Sequence, residues 1–185
     1  MRAVIDTSSL VSLVRYYLPF DNKGILFKLI KEKLLNGEII LIDAVHDECK
    51  YVSQKIVVKS LSYLADKEFL RENKFLVKTD DLIPIAPIKF LNMVKNQFIA
   101  NQFQFKKLSE AEYEAQKMNF MESADAKLIM YCQHLIKELP EEEIYLVTEE
   151  SISTNDLKLF KKIPAICTIL GIKVIGLPEL LRMYS

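Results

Sequence analysis

The sequence predicts an α/β domain built on a central parallel sheet. Short apolar runs at 2–6, 38–42, 144–147 and 172–175 recur along the chain with amphipathic stretches between them. Each run is apolar nearly throughout rather than alternating, as expected of a strand covered on both faces. The stretches between them supply the helical crossovers that parallel strands need. The expected architecture is a three-layer single domain over residues 1–185, with four to five parallel strands flanked by helices.

Arg2-Ala-Val-Ile-Asp6 is the first strand, ending in an acid, and Thr7-Ser8-Ser9 offers turn and cap chemistry. Leu10, Leu13, Val14 and Tyr17 follow at helical spacing until Pro19 stops them. A helix over 23–35 carries Ile25, Leu26, Leu29, Ile30 and Leu34 on its apolar stripe, and Asn36-Gly37 closes it. After the strand at 38–42, Asp43 is placed to cap a helix over 44–55. Helices are expected over 59–72 and 88–100, with a polar, Pro-containing stretch at 73–87 between them. Residues 56–108 thus read as a helical insertion. Ser109-Glu110-Ala111-Glu112 has the spacing of a capping box. The clearest amphipathic helix is 123–138, with Ala124, Leu128, Cys132, Leu135 and Ile136 inward. Pro140 ends it. A helix over 157–170, a turn at Gly171, and a last helix over 177–184 complete the chain.

The cysteines, Cys49, Cys132 and Cys167, are odd in number and form no C-x-x-C, so buried reduced thiols are expected rather than a disulfide framework or a zinc site. Met1–Phe20 lacks a basic leader and a cleavage site, and no apolar run reaches membrane-spanning length. The expectation is a cytoplasmic protein with no membrane partner. Net charge is zero, but it is unevenly spread. Residues 50–107 hold 11 basic and 5 acidic side chains, and residues 108–185 hold 8 and 13. A basic middle beside an acidic end suits a polyanion gripped next to an acidic pocket, and also suits an ordinary solvated surface. Tyr51, Tyr63, Phe69, Phe103 and Phe105 in the basic segment are candidates for stacking on bases; at helical spacing most such rings belong to the core.

Ligands of open parallel sheets bind at the carboxyl ends of the strands. Asp6 ends the first strand, Glu48 lies on the helix after the second, Asp125 starts the long amphipathic helix, and Glu149 and Glu150 follow the third strand. One sheet edge therefore gathers carboxylates from distant parts of the chain. Such a cluster repels itself unless a cation neutralises it, and hard oxygen donors suit Mg²⁺ or Mn²⁺. Such an ion would acidify a water and stabilise charge on a phosphodiester. Thr7, Ser8, Ser9 and Thr148 are candidate supporting hydroxyls, and Arg15 a candidate phosphate contact. Each acid also has a bland role open to it, as a helix cap or a dipole partner.

Val4-Ile-Asp-Thr-Ser-Ser-Leu10, Ser123-Ala-Asp-Ala-Lys-Leu-Ile129, Leu146-Val-Thr-Glu-Glu150 and Gly171-Ile-Lys-Val174 resemble, in order, the strand-one motif, the third-acid helix, the Thr-x-Asp strand end and the late strand of the PIN-domain family. The resemblance covers about 2–55 and 120–184. It implies a metal-dependent endoribonuclease using Mg²⁺ or Mn²⁺, with the family's acids falling on Asp6, Glu48, Asp125 and Glu150, and the metal on Asp6, Asp125 and Glu150. It implies RNA as partner and, as in family members that are toxins of toxin–antitoxin pairs, an antitoxin protein and a homodimer. The fourth acid is Glu where the family has Asp; Glu149 and the later Thr154-Asn155-Asp156 are alternatives. A catalytically silent module binding RNA or a protein is the rival expectation. Phosphoryl transfer by an Asp-x-Asp pair is disfavoured, because Ser8 stands two residues beyond Asp6, and no Gly-rich phosphate loop occurs.

Overall fold

The computed structural model describes residues 1–100, 108–151 and 159–184. Its five-stranded sheet has the order β3-β2-β1-β4-β5, and every neighbouring pair is parallel. Central β1 (Arg2–Ile5) lies between β2 (Ile39–Ile42) and β4 (Ile144–Val147), with Ala3 opposite both Ile39 and Tyr145. β3 (Leu76–Val77) and β5 (Lys173–Ile175) form the edges. Ala3, Val4 and Ile5 of β1 and Ile39 to Ile42 of β2 are all buried, which is why these runs lack alternation.

β3 lies within the expected helical insertion over 56–108, whose other described elements are helical. That stretch also supplies the fifth strand, with Leu41 opposite Leu76 and Ile42 opposite Val77. The helices before it are shorter than expected. α3 (Asp43–Cys49) ends earlier than expected, and beyond it Ser53, Gln54 and Lys55 take positive φ values of 50°, 57° and 64°, which exclude a helix there. The helix expected over 59–72 is two, α4 (Ile56–Ser60) and α5 (Lys67–Asn73), with Asp66 capping the second through Glu68 N and Phe69 N.

Elsewhere the helices follow the caps. Asp6 caps α1 (Thr7–Ser12), which widens into a π-type turn over Leu13–Tyr17 before Pro19. α2 (Ile25–Leu35) ends at Asn36, followed by Gly37 at φ +73°. α6 spans Pro87–Asn96. α7 (Glu110–Glu122) opens with the expected capping box of Ser109 and Glu112. α8 (Ala124–Glu138) is capped by Ser123. α9 (Ile163–Leu170) and α10 (Leu177–Met183) each begin with Pro in the first turn. Of the α9 expectation, 157 and 158 lie outside the described residues.

α2 packs on β2 and α8 on β4, so helices cover the sheet. Leu128, Cys132 and Leu135 point inward from α8, but Ile136 is 40 % exposed; on α2, Ile30 and Leu34 are buried, whereas Ile25 is 64 % exposed. Both exceptions lie in an end turn of their helix. Cys49, Cys132 and Cys167 are buried free thiols. No helix of the described residues is long and apolar enough to cross a membrane.

Candidate functional site

The strand order reverses direction between β1 and β4: the chain runs from β1 outward through β2 to β3, then crosses back to β4 and β5. At such a reversal the loops leave in opposite directions and open a crevice at the carboxyl ends of the two strands. Asp6 follows β1 and Thr148-Glu149-Glu150 follows β4, so both lie at this point. The ladder carries one residue further, through Asp6 N to Val147 O at 2.9 Å and Thr148 N to Ile175 O at 3.1 Å.

Asp6 is 5 % exposed, and hydrogen bonds fill both of its oxygens. Oδ1 accepts from Thr7 N at 2.6 Å. Oδ2 accepts from Ser8 Oγ at 2.6 Å and Thr148 Oγ1 at 2.8 Å, with Ser8 N at 3.4 Å. Each hydroxyl has a single proton, and Asp6 takes both. Their oxygens are then left to accept: Ser8 Oγ from Glu149 N at 3.0 Å, and Thr148 Oγ1 from Glu150 N at 3.1 Å. Asp6 thereby fixes the backbone of the loop after β4. On its other side Thr7 Oγ1 donates to Glu48 Oε2 at 2.5 Å, which ties the exposed Glu48 of α3 to the start of α1. Of the expected supporting residues, Ser9 lies apart from these bonds: it is fully buried and its hydroxyl lacks a partner among the described residues.

Glu149 and Glu150, equivalent by sequence, diverge here. Glu149 turns to the start of α10, where Oε1 accepts from Leu177 N at 2.6 Å. Gly176 makes room for it, since a Cβ there would stand 3.3 Å from that oxygen. Glu150 turns the other way, with Oε2 accepting from Ile163 N at the start of α9 at 3.2 Å. Glu150 and Asp125, in the first turn of α8, line one cavity of about 350 Å³. The candidate site thus consists of Asp6 with Glu48 on one side and Asp125 with Glu150 on the other, joined through Thr148. Asp156, the remaining alternative for the fourth acid, lies outside the described residues, as do Phe103 and Phe105. Among the described residues no three acidic, imidazole or thiol groups converge closely enough to cage a metal.

The donors that do gather are carboxylates and hydroxyls, a set that suits a hard cation such as Mg²⁺ or Mn²⁺. The thiol closest to them in kind is no competitor: burial, then the charges of Glu48 and Asp6, push Cys49 up to about 12, so it stays protonated. His46 stands apart, buried, with Nε2 2.7 Å from Leu64 O. Arg15 is exposed on the wide turn after α1. Tyr63 is buried, Phe69 packs against the core, and Tyr51 is 79 % exposed.

Sequence reasoning missed the opposite wall of the cavity, formed by Gln116 and Asn119 of α7 and by Lys161 and Lys162 before α9. Exposed amides and half-buried lysines carry no periodic signal that separates them from ordinary surface. It also missed that Asp43, read only as a cap, accepts from Thr79 N at 3.2 Å and from Thr79 Oγ1, which pins the end of β3 to that of β2.

A five-stranded, all-parallel sheet whose strand order reverses between β1 and β4 defines a doubly wound α/β protein. The chain belongs to the family described as "Domain of unknown function (DUF4411)", whose profile matches residues 4–185. No curated protein and no solved structure matches it.

Proposed function

We propose that the protein is a metal-dependent endoribonuclease that cuts RNA phosphodiesters at the carboxyl edge of β1 and β4. The observation that carries this is the pairing of Asp125 and Glu150, from distant parts of the chain, on one cavity beside the loop that follows β4. Asp6, Asp125 and Glu150 would hold Mg²⁺ or Mn²⁺, and Glu48 would complete the site. A bound ion supplies an acidified water and neutralises charge on the phosphodiester. The chain's own groups organise the edge: Asp6 locks Ser8 and Thr148, which hold the Glu149–Glu150 backbone, and Thr7 holds Glu48.

Asp6→Asn is the direct test. An Asn keeps the acceptor for Thr7 N, and its amide can donate to the Ser8 and Thr148 oxygens once those hydroxyls turn. The variant should fold with a melting temperature near that of the wild type and lose RNA cleavage. Cleavage retained in the pure variant would remove Asp6 from the mechanism. Calorimetric Mn²⁺ titration gives the parallel readout: binding in the wild type should be lost in Asp125→Asn.

A second reading, a catalytically silent module that binds RNA or a protein, is favoured by one observation. Hydrogen bonds within the fold already engage both Asp6 oxygens. RNA binding without Mn²⁺ binding or cleavage would select it.

A further inference from the structure

We propose that the cavity beside Asp125 and Glu150 receives one unpaired nucleotide of the RNA strand next to the scissile bond, with Gln116 and Asn119 selecting its base. The proposal rests on the endoribonuclease reading for the position of the scissile bond, but its pocket is argued from different residues. At about 350 Å³ the cavity lies at the small end of ligand pockets, the size of a single nucleotide rather than a duplex.

Its surfaces divide by chemistry in the way a nucleotide does. The floor is apolar and aromatic, with Phe120 and Phe160 in contact at 4.6 Å between ring centres. Phe98 and Phe90 continue this run of rings into the core, at 6.4 Å from Phe120 to Phe98 and 5.6 Å from there to Phe90. The floor is therefore a rigid extension of the core, suited to an apolar base face. Gln116 and Asn119 stand three residues apart on α7, hence on one helix face, and both are exposed. An amide presents a donor and an acceptor side by side, the pattern that reads a base edge. The opposite rim is cationic. Lys161 is held in place by its Nζ donating to Gln97 O at 2.5 Å and its backbone N–H to Phe98 O at 2.7 Å, and Lys162 adjoins it. Two lysines beside two carboxylates place attraction for a phosphate next to the acids proposed to act on it.

A free anion would need only the lysines, and an apolar ligand only the floor. Floor, amides and cations are used together by a base carrying its phosphate. A paired base hides the edge that the amides would read, so the strand must be single.

The test separates the pocket from the chemistry. Tetranucleotides of each base, 2′-O-methylated to block cleavage, are titrated by fluorescence anisotropy into the full chain in EDTA, alongside Gln116→Ala/Asn119→Ala. One base should bind about tenfold more tightly than the others, as one good amide–base pair provides. The double variant should lose that preference while its circular dichroism and melting curve stay unchanged. RNA randomised around the cut site and digested with Mn²⁺ should show the same base preferred by the wild type and no preference in the variant. Equal affinity for all four tetramers, or a cleavage preference that survives in the double variant, overturns the pocket even if the nuclease is real. Base-selective binding that the variant abolishes, with no RNA cut under any condition, keeps the pocket and removes the nuclease.

Discussion

At the scale of single residues, Thr148 is the hinge of the candidate site. One hydroxyl serves Asp6 as donor and Glu150 N as acceptor. Thr148→Val keeps the shape and removes both bonds, which leaves a buried carboxylate oxygen short of a donor and a backbone N–H without its acceptor. The expected cost is about 1–3 kcal/mol, read as a lower urea midpoint at unchanged slope, while Thr148→Ser restores most of it. His46 makes a different prediction. Burial holds its pKa below the ordinary 6.5, chiefly by desolvation, so the folded state keeps it neutral. Below pH 6.5 the unfolded chain binds the proton more readily than the fold does. The stability His46 contributes is therefore intact above that pH and is lost as pH falls toward its folded value. Thermal melts between about pH 7.5 and 5.5 should show this decline, and His46→Gln should flatten it.

At the scale of elements, boundaries followed local chemistry wherever the signal was local. The Ser109–Glu112 capping box, the four longer strands and the Ser123 start of α8 were all legible as short patterns. β3 was not. It is two residues long, and Asp43 and Thr79, which hold it, lie 36 positions apart. Thr79→Val should therefore loosen this edge selectively, at a cost of about 1 kcal/mol for the lost hydroxyl bond to Asp43, whose bonds from Thr79 N and Ala44 N remain, with faster amide exchange at Leu76 and Val77 than at Val4 and Ile5. Ser123→Ala removes the hydroxyl oxygen that accepts from Ala126 N in the first turn of α8, at about 1 kcal/mol. Because Asp125 lies in that turn, Mn²⁺ affinity should fall with it. The split between Glu149 and Glu150 was also beyond the sequence. Two adjacent identical side chains diverge only because separate helices, α10 and α9, offer backbone N–H groups on opposite sides.

At the scale of the whole molecule, the sequence located Asp6, Glu149 and Glu150 beside strand ends, which fix an edge, and Glu48 and Asp125 on helices. The cavity wall was illegible, because it depends on where α7 and residues 159–162 meet that edge. The acidic last third and basic middle foresaw a sign contrast but not its location. The lysines at the cavity rim, Lys161 and Lys162, come from the acidic third. Replacing both by Ala should weaken RNA binding and flatten its dependence on salt concentration, measured by anisotropy at several ionic strengths.

The central strand is also the earliest in the chain, and its partner on one side, β4, pairs Arg2 with Ile144. During synthesis β1 leaves the ribosome well before β4, so its Ala3-Val4-Ile5 edge on that side must wait for a neighbour. A strand in that condition is a template for other nascent chains and a natural client for a chaperone. Refolding from urea, followed by circular dichroism, should accordingly be slow, because pairing Arg2 with Ile144 closes a long stretch of chain.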